Sequence, residues 1–165
     1  MGTVIQSWVA DWAISMDAKR PTPIVRDAHA LLLRGIEALE RNHLAEAVGL
    51  LRQSVGLDGQ SFYGHLALGI ALTKTLDIGQ AQQSLETAIR LEPKNFYAHL
   101  RMAELFQRVG VPKKAKEELQ IALDFATTTD EKKLARDLIA AEERREPRRA
   151  WRPDFMQLRR KPKDK

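Results

Sequence analysis

Two histidines, His65 and His99, are the side chains with the clearest potential for chemistry, because imidazole can bind a metal ion or transfer a proton. They are 34 residues apart, whereas a zinc site on one helix needs two histidines about four residues apart. The sequence has no cysteine that could complete a ligand set. We therefore expect no metal and no other cofactor, and we interpret both histidines as packing residues.

A serine lies between glycines in Gly59-Gln60-Ser61-Phe62-Tyr63-Gly64, an arrangement that resembles the nucleophile elbow of hydrolases. The second glycine comes one residue too late for that motif. The sequence also contains no phosphate loop and no dinucleotide fingerprint. We therefore predict that the protein is not an enzyme.

The C-terminal segment has the composition of an anion-binding peptide. Residues 144–165 hold ten basic and three acidic residues, a net charge of +7 in a chain whose total is +5. Its interleaved aromatic side chains could stack on single-stranded bases while the cations neutralise phosphates. The same cations could bind an acidic surface. The segment could equally be a linear motif for a partner protein, or a solvated tail. The candidate contact residues are Arg148, Arg149, Trp151, Arg152, Phe155, Arg159, Arg160 and Lys161. With few apolar side chains, residues 147–165 are expected to be disordered.

The N-terminal segment, residues 1–20, is predicted to be an amphipathic helix that ends before Pro21. Its apolar residues recur at spacings of three and four, with Trp8 and Trp12 on one side. This helix could cap the elements that follow, dock into a groove or mediate self-association.

We expect no transmembrane segment, since no apolar run approaches the roughly 20 residues that span a bilayer. The start lacks the basic residues of a secretory signal, so we expect a cytoplasmic protein.

A 34-residue period organises the chain between these segments, with Gly35, Gly69 and Ala103 at one shared position. A period of this length indicates stacked helix pairs. The predicted pairs are 26–41 with 44–56, 61–75 with 78–91, and 95–109 with 112–126. Asn42 and Gly110 tolerate the left-handed conformation needed between paired helices. A capping box from Thr128 to Glu131 predicts a further helix over 129–146, which would cover the end of the last pair.

These residues resemble the tetratricopeptide repeat (TPR). The second segment carries Leu68-Gly69, Leu72, Ala81, Leu85, Ala88 and Pro93, and the third carries Met102-Ala103, Phe106, Ala115, Leu119 and Ala122. The third segment departs from the pattern at Thr127, and the first at Arg34, Ala38 and Gly59. The resemblance implies an all-α fold, a right-handed α-solenoid of helix-turn-helix units. Its domain would cover residues 24–146, with repeats at about 28–61, 62–95 and 96–129 and a capping helix at 129–146.

The resemblance also implies that the first helix of each pair lines a concave groove for a partner peptide. The groove residues would be His29, Leu32, Ile36, Leu39, Tyr63, Leu66, Ile70, Tyr97, Leu100, Arg101, Glu104 and Arg108, with Thr73 and Gln107 beside them. TPR proteins that clamp a C-terminal carboxylate use lysine, asparagine and arginine at five positions. Here those positions hold Leu32, Ile36, Ala67, Tyr97 and Arg101, and only the last fits.

The function that these features favour is a non-enzymatic adaptor or chaperone-like module, with a protein or peptide as its partner. The alternative is an RNA- or ribosome-associated factor that uses the basic C-terminal tail.

Overall fold

The computed structural model describes residues 23–145, and over this range the chain forms seven α-helices and no strand. The helices are α1 (Pro23–Glu40), α2 (Leu44–Leu57), α3 (Phe62–Lys74), α4 (Ile78–Leu91), α5 (Phe96–Arg108), α6 (Pro112–Phe125) and α7 (Thr129–Arg145). Their ends agree with the predicted ones to within a few residues, so the prediction of an all-α chain of helix pairs is confirmed. The predicted N-terminal helix and the basic tail lie outside the described residues.

The contacts divide the chain after Pro93 into two compact units. The described part of unit 1 consists of α1 to α4, with α1 packed on α2 and α3 packed on α4. Unit 2 contains α5 to α7, with α5 packed on α6 and α6 packed on α7. The core of unit 2 is made by Phe96, Leu100, Ala103, Leu119, Ala122, Ala126 and Ala135. Helix α7 therefore contributes Ala135 to the same core as the third helix pair.

The paired helices approach each other closely at small residues. A Cβ atom on Gly35 would lie 2.7 Å from Cγ of Leu51, and one on Gly69 would lie 2.6 Å from Cγ of Leu85. Both leucines are fully buried, so they have little room to move. The small residues that recur in the sequence are therefore the points where two helices of a pair touch.

The turn inside each helix pair contains one residue in the left-handed conformation. These are Asn42, Leu76 and Gly110, with φ of 61°, 64° and 72°. Asparagine and glycine were predicted to adopt this conformation, but leucine was not, because its Cβ makes it unfavourable by about 1–2 kcal/mol. Leu76 also exposes 65% of its surface. The middle turn therefore carries both backbone strain and an exposed apolar side chain.

Helix α7 begins with the predicted capping box. The Glu131 N–H donates to Thr128 Oγ1 at 3.2 Å, and the Thr128 N–H donates to Glu131 Oε2 at 3.1 Å. The N–H of Thr127 also donates to Glu131 Oε2, at 2.8 Å. Partial burial alone would raise the pKa of Glu131, but the hydrogen bonds from Thr127 and Thr128 outweigh it and lower the pKa. The carboxylate is thus held in its charged form at the start of the helix, where the helix dipole also favours it.

Candidate peptide-binding surface

Two tyrosines, one at the start of α3 and the other at the start of α5, have the same local geometry. Tyr63 packs edge-to-face on Phe62, with ring centroids 5.1 Å apart and an interplanar angle of 77°. Tyr97 packs on Phe96 in the same way, at 5.2 Å and 82°. Both phenylalanines are buried and both tyrosines are half-buried. Helices α3 and α5 therefore each hold an aromatic ring in a fixed orientation with part of its surface exposed, an arrangement favoured by the quadrupoles of the two rings.

The predicted surface in unit 1 is uncharged. Helices α1 and α3 contact each other, and they carry the half-buried His29, Tyr63 and Ile70. Burial lowers the pKa of His29, so its ring is neutral at neutral pH. Lys74, at the last position of α3, is the only lysine, arginine, aspartate or glutamate of that helix. The half-buried predicted residues of unit 1 are therefore uncharged at neutral pH.

Several of the predicted groove residues are buried and offer a partner little surface. Buried residues of the predicted set are Leu32, Ile36, Leu39, Leu66 and Leu100. Thr73 is buried as well, and its Oγ1 donates to the Gly69 carbonyl at 2.7 Å. These side chains fill the interior beneath the first helices. The sequence pattern does not resolve which apolar side chains of these helices point inward.

The predicted surface in unit 2 is polar, and most of its charges are compensated within the unit. Nη1 of Arg101 donates to both carboxylate oxygens of Glu104, at 2.6 and 2.7 Å. Nε2 of Gln107 donates to Oε1 of the buried Glu142 at 3.0 Å. Arg108, at the end of α5, is exposed.

The five positions of a carboxylate clamp do not provide a basic pocket. Leu32, Ile36 and Ala67 are apolar and buried. Arg101, the one matching residue, already binds Glu104. An incoming C-terminal carboxylate would have to compete with that pair for the guanidinium group.

The side chains with potential for chemistry have structural contacts instead. Nε2 of His65 lies 3.1 Å from the Gly59 carbonyl oxygen, and Nδ1 of the buried His99 lies 2.9 Å from Oε2 of Glu118. Oγ of Ser61 accepts the N–H of Gly64 at 3.1 Å and so caps α3. Among residues 23–145, no three histidine, aspartate or glutamate side chains are grouped so that they could hold a metal ion.

The same described range contains no helix with the length and apolar character needed to span a membrane. The predicted contact residues of the tail, from Arg148 to Lys161, lie outside the described residues.

No protein-family model matches the chain, and no curated protein matches it. Solved structures do match. The TPR domain of Arabidopsis OM64 is 19% identical with a TM-score of 0.65, over 72% of this chain and 98% of that chain. The TPR2B domain of yeast Sti1, in its pHsp70 complex, is 19% identical with a TM-score of 0.68, over 73% and 98%. The Yersinia enterocolitica type III secretion chaperone SycD, in complex with a peptide of the translocator YopD, is 16% identical with a TM-score of 0.64, over 71% and 92%.

Paired helices that touch at small residues with a fixed spacing define an α-helical repeat protein. The structural matches identify the type of repeat, and the chain has the TPR fold. The resemblance seen in the sequence is thereby confirmed.

Proposed function

We propose that the protein is a non-enzymatic adaptor or chaperone-like module that binds a partner peptide on the surface of its first helices. The observation that carries this proposal is the pair of tyrosines, Tyr63 and Tyr97. A partly exposed ring held by a buried neighbour loses little conformational freedom on binding, and such aromatic side chains are frequent hot spots. The same edge-to-face pair of rings recurs in two repeats, which favours a binding role over two unrelated packing arrangements.

Proteins of similar structure have been solved in complex with peptide or protein partners. SycD was solved with a peptide of the translocator YopD, and the TPR2B domain of Sti1 was solved in its pHsp70 complex. At 16% and 19% identity these structures carry over the fold, and the choice of partner must come from this chain's own side chains.

The side chains of unit 1 favour a peptide anchored by apolar residues within its sequence. The neutral His29 ring, Tyr63 and Ile70 present uncharged surface, and apolar anchors on it would be stabilised by burial. The clamp positions Leu32 and Ile36 provide no donor for a terminal carboxylate. We therefore expect the peptide's C-terminal carboxylate to contribute little to its affinity.

The proposal can be tested by panning a phage-displayed library of random peptides against the full-length protein. A selected peptide is then synthesised with a free and with an amidated C-terminus, and each form is titrated into ¹⁵N-labelled protein. We expect both forms to bind equally and to shift the amide signals of Tyr63 and Ile70. Shifts confined to the second helices α2, α4 and α6 would contradict the proposed surface. A loss of binding on amidation would contradict the proposed partner chemistry.

A further inference from the structure

The turn between α5 and α6 presents apolar side chains to solvent. Val109 and Val111 are 38% and 37% exposed, and they flank Gly110, which has the left-handed conformation. Phe106, one turn earlier on α5, is half-buried, with Nζ of Lys114 5.3 Å from the centroid of its ring. Turns at the surface of a protein are usually polar, so this apolar surface needs an explanation.

Hydrogen bonds fix the turn to the helices around it. The N–H of Val111 donates to the Phe106 carbonyl at 2.9 Å, and the N–H of Gly110 donates to the Gln107 carbonyl at 3.2 Å. Nε2 of Gln107 also donates to Oε1 of Glu142 on α7, at 3.0 Å. A partner that binds here would therefore have little backbone to order, which lowers the entropic cost of binding.

The same turn is basic. Arg108, Lys113 and Lys114 are all exposed, and within residues 23–145 none of them forms an ion pair with an acidic side chain. The nearby carboxylates on α5, α6 and α7 already have partners. They are Glu104 with Arg101 at 2.6 Å, Glu118 with His99 at 2.9 Å, and Glu143 with Lys116 at 2.7 Å. Glu117, exposed on α6, can offset at most one of the three cations.

The corresponding turns of the other repeats share neither feature. The two valines occupy positions that are polar in those repeats, namely Arg41 and His43 in the first and Thr75 and Asp77 in the second. The charges of those turns are also paired, since Arg41 lies 2.7 Å from Glu37 and Asp77 lies 3.9 Å from Arg52. The TPR fold therefore requires neither the exposed valines nor the unpaired cations of the third repeat.

We propose that the turn between α5 and α6 is a second protein-binding surface, which takes a partner segment that carries acidic residues beside apolar ones. The cations Arg108, Lys113 and Lys114 complement the carboxylates of such a segment, and Val109 and Val111 would bury its apolar side chains.

The side chains of the turn favour a protein over a nucleic acid. Valines are aliphatic and provide no ring on which a base could stack, and Lys114 already lies over the ring of Phe106. The turn is also separate from the tyrosines of the proposed peptide-binding surface. Tyr97 is the second residue of α5 and Arg108 the last, about 16 Å away along the helix axis. Neither proposal depends on the other.

Fluorescence anisotropy of a labelled synthetic peptide, measured with the full-length protein, tests the basic part of this surface. The probe alternates glutamate with leucine. The variant Arg108→Glu/Lys113→Glu is compared with Lys132→Glu/Lys133→Glu, which makes the same change in net charge on exposed residues in the first turns of α7. Charge reversal converts two attractions into repulsions, so we expect the first variant to weaken binding about tenfold at low salt and the control to stay near wild type.

A second peptide, with serine in place of each leucine, tests the apolar part. It should bind more weakly than the glutamate–leucine peptide, because serine would leave the valines exposed. Val109→Ser/Val111→Ser should weaken binding of the glutamate–leucine peptide severalfold and leave binding of the glutamate–serine peptide unchanged. The control is Ile121→Ser, which changes an exposed apolar side chain on α6 and should bind both peptides like wild type.

Several results would overturn the proposal. One is that the wild type fails to bind the glutamate–leucine peptide, and another is that the two charge variants weaken it equally, because net charge alone would then matter. Equal affinity of the wild type for the two peptides would refute a role for the valines. Tighter binding of oligouridylate, lost on reversal of Arg108 and Lys113, would assign the turn to nucleic acid instead. Weaker binding of the probe by Tyr97→Ala would refute a separate surface. Circular dichroism verifies that each variant is folded.

Discussion

The close approach of α1 and α2 predicts that alanine substitution has opposite effects on stability at two glycines of unit 1, Gly35 and Gly49. Gly35 lies on α1 and faces Leu51 of α2, whereas Gly49 lies on α2 with no atom within 4 Å of the place where a Cβ would stand. Gly35→Ala should therefore destabilise the protein, and Gly49→Ala should stabilise it.

The magnitude follows from the distances. The new Cβ at position 35 would lie 2.7 Å from Leu51 Cγ and 2.8 Å from Leu51 Cδ2. Carbon atoms in favourable contact are about 3.5–4.0 Å apart, so the overlap is about 1 Å. Overpacking of this kind costs about 1–3 kcal/mol, partly offset by the gain of about 1 kcal/mol from replacing glycine in a helix. The expected net loss is about 1 kcal/mol. At position 49 only the gain from replacing glycine in a helix applies, and it should stabilise the protein by about 0.5–1 kcal/mol.

Urea unfolding followed by circular dichroism measures both changes in the free energy of unfolding. The two variants should differ by roughly 2 kcal/mol, with wild type between them. Gly69→Ala provides a second test, because its Cβ would lie 2.6 Å from Leu85. If Gly35→Ala proved as stabilising as Gly49→Ala, the close approach of the paired helices would be refuted.

Further predictions concern the turns, the cap of α7 and pH. In urea titrations, Leu76→Asn should raise the free energy of unfolding by about 1 kcal/mol by relieving left-handed strain, and Gly110→Ala should lower it by a similar amount. Thr128→Ala should lower the same free energy by about 1 kcal/mol. The lowered pKa of Glu131 stabilises the folded protein above the unfolded-state pKa of this group, and the stabilisation is lost as pH falls through the folded-state pKa. The difference in the free energy of unfolding between wild type and Glu131→Gln should therefore vanish in acid. Burial lowers the pKa of His29, so the unfolded chain binds a proton at this ring more readily than the folded protein does. Thermal stability should therefore fall as pH drops below about 6.5, the ordinary pKa of histidine, and it should fall less in His29→Gln.

The sequence predicts the helix pairs well because their signals are local or periodic. Gly35 and Gly69 recur at the fixed spacing, and the structure shows why nothing larger fits beside Leu51 and Leu85. The capping box at Thr128 is readable because both of its hydrogen bonds join residues three apart. The left-handed conformation of Leu76 was not predicted, because leucine as a residue type does not indicate it. It follows from the position of Leu76 in the turn between two paired helices.

The candidate sites depend on contacts that a single sequence does not reveal. Leu32 and Leu66 lie on the predicted helices, but neighbouring helices decide that they point inward. The ion pair between Lys116 and Glu143 joins helices whose relative placement follows only from packing. For that reason the sequence indicated a helix at 129–146 but gave no sign that it contacts the ends of α5 and α6.

Isothermal titration calorimetry measures whether α3 and α5 bind a peptide through Tyr63 and Tyr97, as we propose. The peptide obtained by panning is titrated into wild type, Tyr63→Ala and Leu57→Ala, the last of which truncates an exposed apolar side chain at the end of α2. We expect Tyr63→Ala to weaken binding by about 2 kcal/mol, or about thirtyfold in Kd, and Leu57→Ala to leave it near wild type. Tyr97→Ala, compared with Ile121→Ala on α6, makes the same test in unit 2. Unchanged affinity in both tyrosine variants, with melting temperatures near wild type, would show that the peptide binds elsewhere.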